Sequence, residues 1–437
     1  MTDETYKLQN VAEPNLLREQ FPYTQLPRVI FDGLPVPPAP AKTMWITDTT
    51  FRDGQQSRPP YTVGQIVHLF GLLAKLDGGS GTIRQSEFFL YSRKDRQAVE
   101  KCQAAGVKFP MVTGWIRAVA SDFKLAKDMG LAETGILMSC SDYHIFLKLK
   151  KSRKQAMEQY VAIARSSLEE GIVPRCHVED VTRADFYGFV VPLGIELMKL
   201  RQEFGRDVRI RLCDTMGYGV PWAQAALPRS VPKLVAGLIR DAGVPGSLLE
   251  WHGHNDFHKV LVNPATAWLY GCASCNGSLL GIGERTGNTP IEGMVVEAAQ
   301  IAGQNAKVNY AVISEIGDYY RNEIGFEIPP NYPLVGKNFN TTSAGIHADG
   351  LLKSEEIYSA FDTLKILNRP SQVSITDKSG AAGIKHWIEG HYRLDVAKDD
   401  PRLLAIRDKV DSQYDAGRTT AISDQEMVDW YHEAFKK

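Results

Sequence analysis

Cysteine is scarce in this chain, six residues in 437, too few to staple a fold of this size, so a disulfide framework is excluded and the thiols are read as reduced and buried. Cys272-Ala-Ser-Cys275 has the spacing of a redox motif but no second pair to make a zinc site, and it too is read as core. No apolar run approaches the ~18 residues of a membrane span, and the opening Met1-Thr2-Asp3-Glu4-Thr5 lacks the basic start and apolar core of a signal peptide. Neither sign of charge is in surplus: 50 Lys and Arg stand against 51 Asp and Glu. That balance provides no basic field for nucleic acid. Low-complexity segments and internal repeats are also missing. What remains is an ordinary globular composition, 43% hydrophobic and 23% charged, expected to be cytoplasmic.

The most informative feature present is His252-Gly-His254-Asn255-Asp256, set against Arg52-Asp53 two hundred residues earlier. Residues two apart on a strand point to the same face, so two imidazoles and one carboxylate from another strand can hold three sites of a divalent cation. A lone His-x-His is more often a pair of ordinary polar residues. Here it follows Leu248-Leu249-Glu250-Trp251, where a buried strand gives way to a polar loop, and that position favours a ligand pair.

Short apolar or β-branched runs alternate with helix-like stretches from residue 43 to 302. Eight candidate strands are expected at Met44–Phe51, Thr82–Phe89, Lys108–Trp115, Gly135–Cys140, Val173–Val181, Val208–Thr215, Leu248–His254 and Gly271–Ile282. Eight strand-then-helix units in about 260 residues match the ~250 of a (β/α)8 TIM barrel. A doubly wound open sheet is the rival. The barrel is preferred because Arg52, Asp53, Glu87, Thr113, Ser139, Glu179, Asp180, Asp214, Thr215, His252, His254 and Asn276 all fall at or near strand C-termini, the rim where barrel active sites are built. Residues 1–42, with four prolines between Pro35 and Pro40, are expected to form an irregular N-terminal arm over the surface or onto a partner subunit. Residues 303–437 are expected to be a linker and small, mainly helical C-terminal subdomain, with helices near Lys353–Phe361, Gly380–Tyr392 and Asp424–Phe435.

Seven motifs in order, Asp48-Thr-Thr-Phe-Arg-Asp-Gly-Gln-Gln56, Ser141-Asp-Tyr-His144, Glu179-Asp-Val-Thr-Arg183, Asp214-Thr-Met-Gly-Tyr218, His252-Gly-His-Asn-Asp256, Gly281-Ile-Gly-Glu-Arg-Thr-Gly-Asn288 and Gly345-Ile-His-Ala-Asp-Gly350, resemble the landmarks of the metal-dependent Claisen-condensing barrel enzymes. That family includes the isopropylmalate, homocitrate and citramalate synthases. Within it, the Trp45–Tyr61 opening and Ile83–Tyr91 look most like the Re-type citrate synthases. The resemblance implies condensation of acetyl-CoA with oxaloacetate, and a divalent cation, commonly Mn²⁺, with Mg²⁺, Co²⁺ or Zn²⁺ as alternatives. A homodimer acting on small molecules, with neither nucleic acid nor membrane as partner, completes the expectation.

Claisen chemistry needs a cation to polarise the keto group, a base for the methyl proton and donors for the developing alkoxide. Asp53, His252 and His254 are the expected ligands, with Asn255, Asp256 and Asn288 behind them; Asp48 is expected to be a structural partner. Arg52 is the expected donor to the keto or carboxylate oxygen. The resemblance supplies Glu179 and His347 as candidate bases and Tyr358 as a lid tyrosine. Thr215 can hydrogen-bond the substrate carboxylate, as the resemblance implies. Gln85, Glu87 and Asn276 are expected to line the substrate site, and Arg84 and Arg117 to favour a dicarboxylate over an apolar keto acid. Glu284 and Arg285, in a glycine-rich loop able to offer N–H groups to an anion, are expected near the acetyl-CoA entrance. Strand two departs from the family: Arg84-Gln-Ser-Glu87 stands where related synthases have Ile-Glu-Ala-Gly, moving the carboxylate by two residues on one face. Other readings are a homocitrate- or isopropylmalate-type synthase, a retro-Claisen lyase, and a metal-binding barrel without catalysis.

Overall fold

The computed structural model describes residues 6–436, so the Met1–Thr5 opening lies outside it. Two compact units divide the chain between Asn309 and Tyr310. In the first, eight parallel strands close into a barrel in sequence order: β1 (Trp45–Asp48), β2 (Ile83–Phe89), β3 (Met111–Ile116), β4 (Glu133–Ser139), β5 (Val173–Glu179), β6 (Arg209–Asp214), β7 (Leu249–Gly253) and β8 (Ser274–Gly277), with β8 returning to β1. Helices α1 (Val63–Asp77), α2 (Arg93–Ala104), α3 (Phe123–Asp128), α4 (Arg153–Glu169), α5 (Val191–Phe204), α6 (Val231–Asp241), α7 (Val262–Leu269) and α8 (Ile291–Ala302) follow the strands in turn. This is the expected barrel, and the open sheet is ruled out by the β1–β8 pairing, Trp45 opposite Ser274 through Asp48 opposite Gly277.

Local chemistry sets the element ends. Thr62, Ser92 and Ser152 cap α1, α2 and α4, each accepting from the N3 backbone while the N3 side chain reaches back, which satisfies two otherwise orphaned donors per helix. Gly78 ends α1 at φ 60°, and a Cβ there would lie 1.8 Å from the Lys307 carbonyl oxygen, so only glycine fits. Ser230 caps α6, accepting from the Lys233 N–H, and residues Phe186–Val190 form a π-helical turn before α5.

The arm crosses its own barrel. Gln9 donates to the Gly188 carbonyl, the Asn15 N–H donates to Asp142, and Arg229 donates to the Pro27 and Arg28 carbonyls. Lys233 pairs with Asp32. The described arm residues are therefore held by buried and half-buried groups of the same chain.

The second unit contains α9 (Val312–Asn322), α10 (Gly345–Lys353), α11 (Thr363–Leu367), α12 (Gly380–Tyr392), α13 (Pro401–Asp415) and α14 (Asp424–Phe435), with a two-stranded pairing of β9 (Thr341–Thr342) and β10 (Gln372–Val373). Its core gathers Leu351, Ile375, Ile384, Trp387, Ile388, Leu403, Ile406, Val410, Met427 and Tyr431. The helix expected at Lys353–Phe361 instead spans Gly345–Lys353 and stops at Ser354, whose backbone is extended. The Gly345–Gly350 motif is therefore helical.

Candidate metal centre and its surroundings

After β1 the chain turns through Thr49-Thr-Phe51 into a 3-10 turn that begins at Asp53. This aims the Asp53 carboxylate across the mouth at the end of β7. Asp53 Oδ2 lies 3.7 Å from His252 Nε2 and 4.0 Å from His254 Nε2, and one ligand atom from each of the three side chains falls within 4.8 Å of the others. Donor atoms each ~2.1 Å from one cation sit about 3 to 4 Å apart, so the spacing fits a shared ion.

The tautomers fit as well. His252 Nδ1 is 2.7 Å from Asn276 Oδ1, while the Asn276 amide nitrogen donates to the Thr47 carbonyl. That fixes the amide, makes Nδ1 the protonated nitrogen and leaves the Nε2 lone pair directed at Asp53, the usual support for a metal-bound histidine. Burial pushes His252 down to about 3, with the attraction of Asp53 only partly opposing it. Burial likewise lowers His254. Burial alone would raise Asp53, but Arg52, the two histidines and a 2.6 Å hydrogen bond from Asn288 hold it below the usual carboxylate range. Neutral imidazoles beside an ionised carboxylate are the donor set a divalent cation needs.

Arg52 donates through Nε to Glu87 at 2.8 Å and through Nη1 to Asp53 at 3.0 Å. Thr215, at the end of β6, accepts from the Asp180 N–H at 2.9 Å. Glu179 ends β5 among cations and donors: His144 Nδ1 at 2.9 Å, Lys148 Nζ at 3.1 Å, and the Ser139 hydroxyl. Burial would raise Glu179, but His144, Ser139 and Lys148 together bring it down to about 2. His144 and Lys148 lie on a π-helical turn, Tyr143–Lys148, directly after β4. Their roles were missed in the sequence; the signal was the Ser141–His144 motif at a strand end.

Two of the expected substrate contacts lie away from the mouth. Arg84 is the second residue of β2, five residues and ~16 Å along the strand from its rim end, stacked on Trp45 at the opposite end of the barrel. Gln85 is also below the mouth, donating to Glu133 and accepting from Arg175. Arg117 is mostly exposed and forms a two-pronged pair with Asp122. Asn276 is fully buried against His252. Glu87 is buried too, on Arg52 and Arg211. At the mouth, Arg285 bridges Asp256 and the Thr215 carbonyl, and Glu284 beside it is exposed. Asp48 accepts from Ser86 and from the Thr50 N–H inside the barrel, and burial raises it to about 6. In the second unit, His347 on α10 packs on Tyr358 with ring centres 4.3 Å apart.

Closed barrel, rim-end carboxylate and histidine pair define a (β/α)8 protein with a candidate divalent-cation site at the C-terminal face. The chain belongs to the HMGL-like family, whose profile matches residues 43–319. Among curated proteins it is 56% identical to a citrate (Re)-synthase of Syntrophus aciditrophicus, over 97% of this chain and 68% of that protein. It is 53% identical to the citrate (Re)-synthase of Clostridium kluyveri, over 97% of this chain and 94% of that one. Among solved structures, an HMG-CoA lyase of Bacillus subtilis superposes with a TM-score of 0.52 at 19% identity, covering 66% of this chain and 96% of the lyase. At that identity the lyase speaks for the fold alone.

Proposed function

We propose that the chain is a citrate (Re)-synthase: it joins the methyl carbon of acetyl-CoA to the keto carbon of oxaloacetate, and water then cleaves the thioester to give citrate and CoA. The observation that carries the reading is the Asp53, His252 and His254 cluster with Arg52 beside it. The likeness to two citrate (Re)-synthases along 97% of the chain supports the same choice. These three side chains would hold a divalent cation, Mn²⁺ in this reading, which when bound would supply Lewis acidity toward the keto oxygen.

The chain's own groups do the rest. Arg52 uses two of its nitrogens on Glu87 and Asp53, leaving Nη2 as a permanently charged donor for the keto or carboxylate oxygen. Thr215, its oxygen accepting from Asp180, donates its hydroxyl proton only at 3.5 Å to the Cys213 carbonyl, a long bond that a substrate carboxylate would replace. Glu179 is ionised at neutral pH, and its strong stabilisation makes it a weak base on its own; His347 remains the second candidate base, on the resemblance alone. The second carboxylate of oxaloacetate falls to Lys148 and His144, which pair with Glu179 at the end of β5, in place of Arg84 and Arg117. Arg285 and the Gly281–Asn288 loop are assigned to the CoA side.

A cytoplasmic homodimer belongs to the same reading. All six thiols are free and buried, and no helix among the described residues is long and apolar enough to cross a membrane. Sedimentation equilibrium tests the dimer. The function itself is tested by CoA release from acetyl-CoA with oxaloacetate, 2-oxoglutarate and 2-oxoisovalerate in turn. Oxaloacetate is expected to lead in kcat/KM by well over tenfold, because an apolar chain leaves buried cations unpaired. A lead for 2-oxoisovalerate would move the protein to the isopropylmalate branch.

A further inference from the structure

An unbroken alternation of charges, buried in all but its half-buried first member Arg209, runs up the barrel interior. Arg209 pairs with Glu133 at 3.2 Å, Glu133 with Arg175, Arg175 with Glu250 at 3.3 Å, Glu250 with Arg211 at 2.6 Å, Arg211 with Glu87 at 3.0 Å, Glu87 with Arg52 at 2.8 Å and Arg52 with Asp53 at 3.0 Å. Four cations face four carboxylates, and the series ends on the cation-ligand cluster. Side chains of Arg175, Arg211, Glu87 and Glu250 are at most 2% exposed. Buried ion pairs are poor sources of stability compared with apolar packing, so their retention calls for another role.

We infer that Glu87 and Arg211 are positioning residues that decide which oxygen of Asp53 is left for the cation. The inference rests on the reading of Asp53, His252 and His254 as ligands. A guanidinium next to a carboxylate prefers a two-pronged pair. Arg52 makes only a single-pronged one with Asp53, through Nη1 to Oδ1, because Glu87 holds its Nε. Asp53 Oδ2 is thereby left clear of Arg52, and while accepting from the Asn288 amide at 2.6 Å it faces both imidazoles. Glu87 stays in place because Arg211 grips it with Nη1 and Nη2 while Glu250 anchors the Nε side of the same guanidinium. His177 Nε2, 3.4 Å away, closes the remaining side. Without the Glu87 charge, Arg52 turns both prongs onto Asp53 and competes with the cation for Oδ2.

The test is Mn²⁺ binding to the full chain, read by the loss of free-ion EPR signal, with no substrate present. Glu87→Gln is expected to weaken binding 10- to 100-fold, the range typical of groups that orient a ligand. In Glu87→Gln/Arg211→Met the interior charge is balanced again, but Arg52 is still unheld, so binding stays weak. Wild-type affinity in that double variant would mean that charge balance alone matters and would overturn the inference, as would a Glu87→Gln affinity within twofold of wild type. Should Glu87→Gln fail to fold, Arg211→Lys carries the test: lysine keeps the charge but cannot span Glu250 and Glu87, and severalfold weaker binding is expected, with unchanged binding refuting the inference. If wild type itself binds no Mn²⁺ and His254→Ala changes nothing, the ligand reading has failed instead.

Discussion

Replacing Asn276 with alanine separates two roles for that residue, substrate contact and support of His252. In the structure its Oδ1 accepts the Nδ1 proton of His252 at 2.7 Å, and both groups are buried. Alanine leaves that N–H without a partner in a site closed to solvent, a loss of about 1–3 kcal/mol. The same imidazole must present its Nε2 lone pair to the cation, so much of the loss falls on metal binding. At ~1.4 kcal/mol per factor of ten, this corresponds to a roughly 10- to 100-fold rise in the Kd for Mn²⁺. Two titrations decide the matter: Mn²⁺ affinity by EPR, and oxaloacetate kinetics at saturating Mn²⁺. The expected pattern is weak metal binding, with oxaloacetate KM near wild type and kcat largely recovered once the ion saturates. Unchanged metal affinity with a raised oxaloacetate KM would refute the geometry-based assignment and return Asn276 to the substrate.

Chelation is expected to abolish turnover and Mn²⁺ to restore it, with His252→Ala and His254→Ala losing both bound ion and activity when checked by elemental analysis. Arg84→Leu and Arg117→Leu are expected to leave the oxaloacetate KM within about threefold of wild type, since one residue stacks on Trp45 and the other pairs with Asp122; a tenfold rise for either would restore it to the site. Glu179→Gln is expected to cut kcat by ~10²–10⁴ with metal binding intact if Glu179 takes the methyl proton, measured as solvent deuterium exchange into acetyl-CoA. The same variant probes stability. Glu179 sits at about 2 in the folded chain, below its unfolded value, so its contribution is present above about pH 4.5 and is lost as pH falls toward 2. The full effect is on the order of 3 kcal/mol, and urea unfolding at pH 7 and pH 3 should show a smaller difference for Glu179→Gln than for wild type. Gly78→Ala is expected to destabilise the barrel by at least ~1–2 kcal/mol, from the left-handed backbone alone, read as a lower melting temperature.

The barrel and the clustering of Asp53, His252 and His254 were legible because both depend on short-range rules. Strand and helix periods differ, His252 and His254 are separated by the strand repeat, and a ligand at a strand's C-terminus is at the rim whatever the loops do. Depth within a strand is harder to read. Arg84, Gln85 and Glu87 all fall within the expected strand Thr82–Phe89, but its pairing with β1 slips between Ile46 and Thr47. Arg84 and Gln85 consequently belong to the barrel's lower layers, while Glu87 sits just under Arg52. In the second unit, α9 and α13 went unread, and the helix expected from Lys353 onward starts at Gly345, where packing of Ala348 and Leu351 into the core makes the Gly345–Gly350 motif helical. The charged interior was hidden for a more general reason. Alternation such as Arg209-Ile-Arg211-Leu and Arg175-Cys-His177-Val normally marks a strand with one face in water. In a closed barrel the polar face points inward instead, and nothing local in β5 or β6 reveals that the partners are Glu133, Glu250 and Glu87 on β4, β7 and β2. Only closure brings those strands around one axis. The residues that support Arg52 are therefore a property of the whole ring, whereas the residues that face the cation can be found two strands at a time.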